Sequence, residues 1–424
     1  MAGFLEQVVR HMHQIQELAA GVLEQIEAGR TLTEALAAGG QNLAPRDRAA
    51  LQDLGYGVLR HRAELHLMLR SLVPKPLPEA RLERVLLVAL YQIFYTRAAE
   101  YAIVNEAVIL AASVAHGRFK GLVNGALRNA LRRRETLPEV ALVSEEGRFN
   151  HPQWWIDALK RHYPDAWQSI LEASNAHPPM TLRVNRRKGT DEAYRERLAA
   201  EGIETRSPGP GALTLLRPVN VRELPDFAAG AVSVQDWGAQ QAAMWLDLAA
   251  GQRVLDACAA PGGKSGHMLE LADIDLTALD ADAGRLRRVD DNLRRLGLKA
   301  RLLTGDAGDV DSWWDGKPYD RILADVPCSA SGVVCRHPDI KWLRRPTDFA
   351  GLARQQRRII DALWSVLASG GKMLYATCSI FPEENAQQLA GFLERCRDAR
   401  CLKQEQLLPT ERHDGFYYAL LEKI

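Results

Sequence analysis

The chain has 424 residues, 47% hydrophobic and 25% charged, with a formal net charge of +1. This is ordinary globular composition, long enough for two or three domains, and its near-neutral balance supplies no global field to drive it onto a polyanion. Six cysteines, at 258, 328, 335, 378, 396 and 401, form no CxxC pair. That spacing excludes a disulfide framework and suggests no zinc site, so no metal is expected and the free thiols suit a reducing cytosol. No run approaches the roughly 18 apolar residues of a membrane span. The N-terminal "MAGFLEQVVRHMHQIQELAAGVLEQIE" lacks the uninterrupted apolar region of a signal peptide. A soluble cytoplasmic protein with no membrane contact is expected.

In chain order, residues 1 to about 135 read as helical. Apolar residues recur at helical spacing, as Val85, Val88, Ala89 and Ile93 do in "ERVLLVALYQIFY". Pro74, Pro76 and Pro78 mark an inter-helix loop. The region ends in a basic stretch, "LRNALRRRE", with Arg128, Arg132, Arg133 and Arg134. The pattern lapses from Leu137 to Pro152, and "HPQWWIDALKRHYP" starts a new unit. Residues about 150–235 mix helices with short strands. There "TLRVNRRKG" reads as a strand ending in a basic cluster (Arg183, Arg186, Arg187, Lys188), and "SPGPGAL" as a turn.

From about residue 236 strands and helices alternate. Five apolar runs, "RVLDA", "LTAL", "ARLLT", "RILAD" and "GKMLYAT", are separated by helical patterns such as "AGRLRRVDDNLRRLGL" and "LARQQRRIIDALWSVLASGG". The second helix is expected to stop at Gly370-Gly371. "GFYYALLEK" reads as a final strand. The alternation predicts a doubly wound, mostly parallel sheet, in which ligands bind beyond the carboxyl ends of the strands.

Each of those strand ends carries something chemical. "VLDA" runs into Cys258, Ala259, Ala260, Pro261, Gly262, Gly263 and Lys264; "LTAL" ends at Asp280, "ARLLTG" at Asp306 and "RILA" at Asp325 followed by Pro327 and Cys328; "MLYAT" ends at Cys378. The glycine loop is not a triphosphate loop, because the first glycine of G-x-x-x-x-G-K-[ST] would fall at Cys258. A tight glycine turn opening a helix still offers N–H groups to an anion. Asp280, at the end of the next strand, suits ribose hydroxyls. Its neighbour Asp282 reads equally as a helix N-cap. Together these features suit S-adenosylmethionine. Asp306 reads either as a contact to the adenine edge or as an ordinary turn aspartate.

A cysteine is ordinarily a small buried hydrophobe, which suits Cys396, Cys401 and Cys335. Cys328 and Cys378 fit that poorly: both follow a strand, sit in polar loops and precede a serine. A thiolate is a strong nucleophile when nearby positive charge, such as Lys264, lowers its pKa. The basic stretch "RHPDIKWLRRP" (Arg336–Pro346) follows the Cys328 loop. Any single basic run is ordinarily a solvated face, but three of them make nucleic acid the leading partner.

"LDACAAPGGKS", "LADVPCSASGV", "RHPDIKW" and "YATCSIFPEEN" resemble the motifs of the RNA cytosine-5 methyltransferases of the Nol1/Nop2/Sun family. "VNEAVILA" and "LVNGALRNAL" resemble the NusB-like RNA-binding domain. The resemblance covers nearly the whole chain. It implies a multidomain protein: a NusB-like all-α domain at 1–140, a small α+β RNA-contacting region at 141–235, and a Rossmann-like α/β methyltransferase domain at 236–424. It implies that Cys378 is the nucleophile that attacks cytosine C6, that Cys328 helps release the product, and that Asp325 contacts the base and assists at N3. Cys258 to Lys264, with Asp280, Asp306 and Asp325, would hold S-adenosylmethionine. The implied substrate is a cytosine of 16S rRNA, at position 967 in conventional numbering, modified by a monomer. Two departures are Ser265, where threonine is frequent, and Cys335, where arginine is frequent and would contact RNA phosphate. Another rRNA site, a tRNA substrate or a non-catalytic ribosome-assembly factor are the competing readings; intact Cys328, Cys378 and Asp325 argue against the last.

Overall fold

The computed structural model describes residues 2–424, with side chains from Gln14 onward. Met1 and the side chains before Gln14 lie outside that description, and with them part of the stretch read above as no signal peptide. The chain divides into two compact units, Met1–Asn175 with His337–Arg344, and Ala176–Arg336 with Arg345–Ile424.

The first unit is helical. Its longer helices span Ala2–Glu27, Pro45–Arg60, Arg62–Leu72, Ala80–Tyr95, Glu100–Ala112 and Lys120–Arg132. The proline cluster lies between Leu72 and Ala80, as its composition predicts. Helical spacing puts Val85, Val88, Ala89 and Ile93 into one core with Leu23, Leu59 and Ile103. Gln92, on the same face, is buried and accepts from the Gln16 amide at 2.6 Å. The helix Leu32–Gly39 starts at a capping box, with Thr31 and Glu34 exchanging hydrogen bonds.

The segment His337–Arg344 belongs to this unit, which narrows the reading of "RHPDIKWLRRP" as a cationic RNA-facing run: Lys341 is withdrawn from it, while Arg345 stays exposed. Lys341 is fully buried, donating to Asn175 Oδ1 at 2.6 Å and to the Arg60 carbonyl at 3.3 Å. Trp342 donates to the Leu59 carbonyl at 2.7 Å and packs on the helical core. Asp339 accepts from the Leu32 N–H at 2.9 Å. These side chains hold the segment in place and take the Lys341 charge out of reach of a polyanion.

The second unit holds two sheets. The smaller is antiparallel, in the order β2-β3-β1-β4, with β1 Thr181–Val184, β2 Thr205–Gly209, β3 Ala212–Leu215 and β4 Val232–Val234. The helix Asp191–Ala200 contributes Tyr194 and Leu198 to the core that covers it. Much of "SPGPGAL" is strand rather than turn: Pro208 sits in edge strand β2, where a missing N–H costs no ladder bond.

The larger sheet has seven strands in the order β10-β11-β9-β8-β5-β6-β7. They are β5 Arg253–Ala257, β6 Asp275–Asp280, β7 Arg301–Thr304, β8 Tyr319–Asp325, β9 Leu367–Thr377, β10 Ala399–Leu407 and β11 Phe416–Lys423. Strands β5 to β9 are parallel, and β11 and β10 add an antiparallel edge. Both faces are covered, so the central strands read as continuous apolar runs. Leu255, Ile322 and Tyr375 face one core while Val254, Leu323 and Leu374 face the other.

One boundary differs from expectation. The helix Asp348–Ser365 ends before Gly370-Gly371, and both glycines lie within β9, where the pairing with β8 is irregular and Gly370 takes φ +73°. Here glycine marks a bulge rather than a helix stop. The chain moves outward through β5, β6 and β7, then crosses back to β8. That switch point opens a crevice at the carboxyl ends of β5 and β8. Among the described residues no helix is long and apolar enough to cross a membrane.

Candidate active site

Strand β5 ends at Ala257, and Cys258 turns the chain at φ +63°. The helix Gly263–Leu271 begins after Gly262, at φ +93°. A Cβ at Gly262 would lie 3.0 Å from Val289 Cα, so this loop requires glycine on two grounds, conformation and space. The loop is fixed from the next strand. Asp280 is buried; its Oδ2 accepts from the Ala260 N–H at 3.0 Å and its Oδ1 from the Asp282 N–H at 3.1 Å. Each oxygen keeps a lone pair for a further donor. Asp282 takes the other role open to it: its Oδ1 caps the helix Ala283–Leu296 through the N–H groups of Gly284 and Arg285.

Asp306 lies past β7, with Oδ1 on the Gly308 N–H at 2.9 Å and Oδ2 on Arg358 at 2.7 Å. Partial burial opposes ionisation there, yet those two donors hold the carboxyl below its ordinary value. Asp325, at the end of β8, accepts from Lys264 Nζ at 2.5 Å. Burial pulls the Lys264 ammonium pKa down, but Asp325 outweighs it, with the Cys378 sulfur and Asp256 adding to the field, and holds it above its ordinary value.

Cys328 follows β8 and Cys378 follows β9, and their sulfurs lie 3.4 Å apart. Hydrogen bonding to Cys378, then burial, pushes the Cys328 thiol well up, so it stays protonated at neutral pH. Burial, with Asp325, Asp280 and Asp256 nearby, pushes Cys258 up to about 12, which removes it as a nucleophile. Cys335 is buried and donates to Asp414 at 3.1 Å, so that position faces the interior rather than RNA phosphate. The predicted residues are thus distributed over one strand-end crevice: Asp280, Asp306, Asp325, Cys328 and Cys378, with the Cys258–Lys264 loop.

Two features escape sequence reading. Asp256, inside β5, is fully buried; its Oδ2 accepts from Ser265 Oγ at 2.5 Å and its Oδ1 has no hydrogen-bond partner. Burial raises its carboxyl to about 7. A carboxyl raised in the native state stabilises the fold fully below its unfolded value of about 3.9, and that contribution is lost as pH rises through about 7. Asp256→Asn is therefore expected to flatten the decline in Tm between about pH 4 and pH 7, measured by thermal unfolding across that range. The second feature is a buried polar network of Ser329, Ser331, Gln356, Ser379 and Glu384 around the two thiols.

The loops meet closely. Gly332 donates to the Cys378 carbonyl and accepts from the Gly415 N–H, each at 2.8 Å, and a Cβ there would lie 2.2 Å from Gly415 O. Gly332→Ala is expected to cost on the order of 3 kcal/mol by denaturant unfolding, because backbone blocks the added methyl.

Arg183 also departs from expectation. It is 1% exposed, pairing through Nε and Nη2 with both oxygens of Glu270 and donating from Nη1 to Gln235 and the Gly263 carbonyl. It braces the glycine loop rather than reaching RNA. Arg186, Arg187 and Lys188 remain exposed, as do Arg128, Arg132 and Arg134. Among the described residues no cluster of His, Cys, Asp and Glu is arranged to hold a metal ion.

A doubly wound sheet, with a glycine turn at its first parallel strand and acids at the strands beside it, defines a methyltransferase domain of the Rossmann-like class. The chain belongs to the RsmB/F family of 16S rRNA methyltransferases. The model of that family matches residues 243–422, the RsmF/B-like ferredoxin-like domain matches 151–222, and the NusB family matches 13–132. Ribosomal RNA small subunit methyltransferase B from Vibrio cholerae is 45% identical over 96% of this chain and 97% of its own length. The same-named protein of Proteus mirabilis is 42% identical over 97% and 99%. The crystal structure of PH0851 superposes with a TM-score of 0.79 at 24% identity, covering 97% of this chain and 99% of that one. A methyltransferase homolog from Pyrococcus horikoshii superposes with a TM-score of 0.59 at 26% identity, covering 66% and 97%.

Proposed function

We propose that this protein transfers the methyl group of S-adenosylmethionine to C5 of a cytosine in 16S rRNA, through a covalent adduct between Cys378 and C6. The observation that carries this reading is the pair of thiols 3.4 Å apart, beside an ion-paired Asp325, at the switch point of the sheet. The target implied by the family is cytosine 967 in conventional numbering.

The crevice fits the methyl donor. Asp280, Asp306 and Asp325 sit at or just beyond the ends of β6, β7 and β8, an anionic setting for a sulfonium cation. The loop around Gly262 has no room for a side chain, and the Gly263 helix turns its N–H groups toward a carboxylate. When bound, S-adenosylmethionine supplies an electrophilic methyl group. Cytosine C5 alone is too weak a nucleophile to take it. The Cys378 sulfur adds to C6, forming an S–C bond and moving the C5–C6 pair so that C5 becomes enamine-like. Asp325, carrying the Lys264 ammonium on Oδ2, holds the base at N3 and brings a proton source to it. After C5 accepts the methyl, its proton passes to solvent water and the electron pair of the C5–H bond expels the Cys378 thiolate. Cys328, in contact with the departing sulfur and held protonated, is placed to assist release.

Incubating the protein with S-adenosylmethionine carrying a labelled methyl, and separately with 16S rRNA and tRNA, tests this by nucleoside mass spectrometry. Label recovered as 5-methylcytidine from 16S rRNA is expected. Label on tRNA alone, or on another base or position, overturns it.

A further inference from the structure

Both thiols are followed by serine, and one carboxylate holds both serines. Glu384 is fully buried in the short helix Pro382–Glu384. Its Oε1 accepts from the Ser329 N–H at 2.8 Å and from Gln356 Nε2 at 3.0 Å, and its Oε2 accepts from Ser379 Oγ at 2.5 Å. Gln356 donates also to the Pro327 carbonyl at 3.0 Å. The hydroxyls of Ser329, Ser331 and Ser379 close a triangle with sides of 3.0, 3.1 and 3.2 Å. From it, Ser331 Oγ accepts the Ile380 N–H at 2.9 Å and Ser379 Oγ the Phe381 N–H at 3.1 Å. The Glu384 carbonyl is anchored by Tyr375 OH at 2.6 Å, on the strand that ends at the Cys378 loop.

A buried carboxylate is expensive unless its hydrogen bonds are satisfied. Here its oxygens are spent on the residues directly after Cys328 and Cys378, which lie 50 residues apart in sequence. We propose that Glu384 is the positioning residue that sets the separation of the two thiols, by clamping the Cys328 and Cys378 loops to one carboxylate. The clamp rests on the functional reading above for its purpose, since a nucleophile and a release group must occupy one short sulfur–sulfur distance. The distance itself does not depend on that reading.

A trivalent arsenical measures the separation without RNA or methyl donor. Phenylarsine oxide condenses with two close thiols to form two As–S bonds and release one water. Bridging is read as protection of the Cys328 and Cys378 peptides from iodoacetamide, by mass spectrometry of the full-length protein. Wild type is expected to form the bridge, with Cys328→Ala as the unbridged control. Glu384→Ala, shown folded by near-ultraviolet circular dichroism, is expected to need at least about tenfold more arsenical and to lose kcat rather than KM. Glu384→Asp keeps the charge but withdraws it by one methylene, and is expected to be impaired likewise. Glu384→Gln keeps reach and acceptor, and is expected to restore bridging to within about threefold of wild type. Wild-type bridging in Glu384→Ala overturns the proposal. If that variant does not fold, wild-type bridging in Glu384→Asp overturns it, as does a wild-type protein whose thiols do not bridge. A wild type that bridges but transfers no methyl to RNA overturns the function above and leaves the positioning role standing.

Discussion

Cys378→Ala is expected to abolish methyl transfer, by at least about 10⁴-fold in kcat, while Cys328→Ala accumulates protein covalently joined to RNA. The asymmetry follows from the geometry. Both sulfurs occupy one contact, 3.4 Å apart, but their settings differ. Cys328 is held protonated by its hydrogen bond to Cys378 and by burial, with the Glu384 charge adding to both, and a thiol so held is a poor nucleophile. Cys378 lies beside the Lys264 ammonium, whose own elevation owes part of its size to that sulfur. Addition at C6 falls to Cys378, and removing Cys328 stalls the step that expels it. A denaturing gel of wild type and the two variants, each mixed with 16S rRNA fragments and S-adenosylmethionine, reads both outcomes. An RNA-linked band in Cys328→Ala alone supports the assignment. Methylated cytosine from Cys378→Ala, or a trapped band in that variant instead, reverses the two roles.

What the sequence reveals and what it hides divide along physical lines. The inner parallel strands β5, β6, β8 and β9 are legible because both faces are largely buried, so each carries a short apolar run; β7, an edge strand with no fully buried residue, is legible only from its short apolar run. Their chemistry is legible because cysteine, aspartate and paired glycines are unusual residues to find at strand ends. Strand β10 is not legible: "ARCLKQEQL" is a largely exposed edge strand with few apolar residues. The thiol clamp is hidden for another reason. Serines after cysteines look like loop solvation, and a carboxylate three residues inside "FPEEN" looks exposed, until the fold brings residues 50 apart within hydrogen-bond reach. The basic runs mislead most. Charge clustered in sequence predicts a solvated cationic face, but burial is decided residue by residue. Lys341 is enclosed in the helical unit and Arg183 lies beneath the glycine loop, while Arg186, Arg187 and Lys188 stay outside.

Arg183 carries the other large effect. Arg183→Met is expected to destabilise its unit by about 3–5 kcal/mol, because it leaves Glu270 ionised and buried without its partner. The pair is 1% and 2% exposed with Nη2 and Oε1 2.7 Å apart, so water cannot replace the lost bonds. Glu270→Met alone is expected to cost a similar amount, by stranding the guanidinium. The double variant is expected to recover most of the loss, since two apolar side chains of similar volume bury no charge. Urea unfolding followed through the tryptophans of the second unit gives the four midpoints of the cycle. The same residue donates to the Gly263 carbonyl at 2.7 Å, at the start of the helix that would face the methyl donor. The double variant is therefore expected to fold yet bind S-adenosylmethionine at least about fivefold more weakly by calorimetry, since loss of that charge-assisted hydrogen bond frees the loop. Single variants that lose less than about 1 kcal/mol would place Arg183 in the exposed class of ion pairs. A double variant with unchanged affinity would confine it to stability and leave the glycine loop to its other contacts, those of Asp280 and of Arg285 with the Ala260 carbonyl.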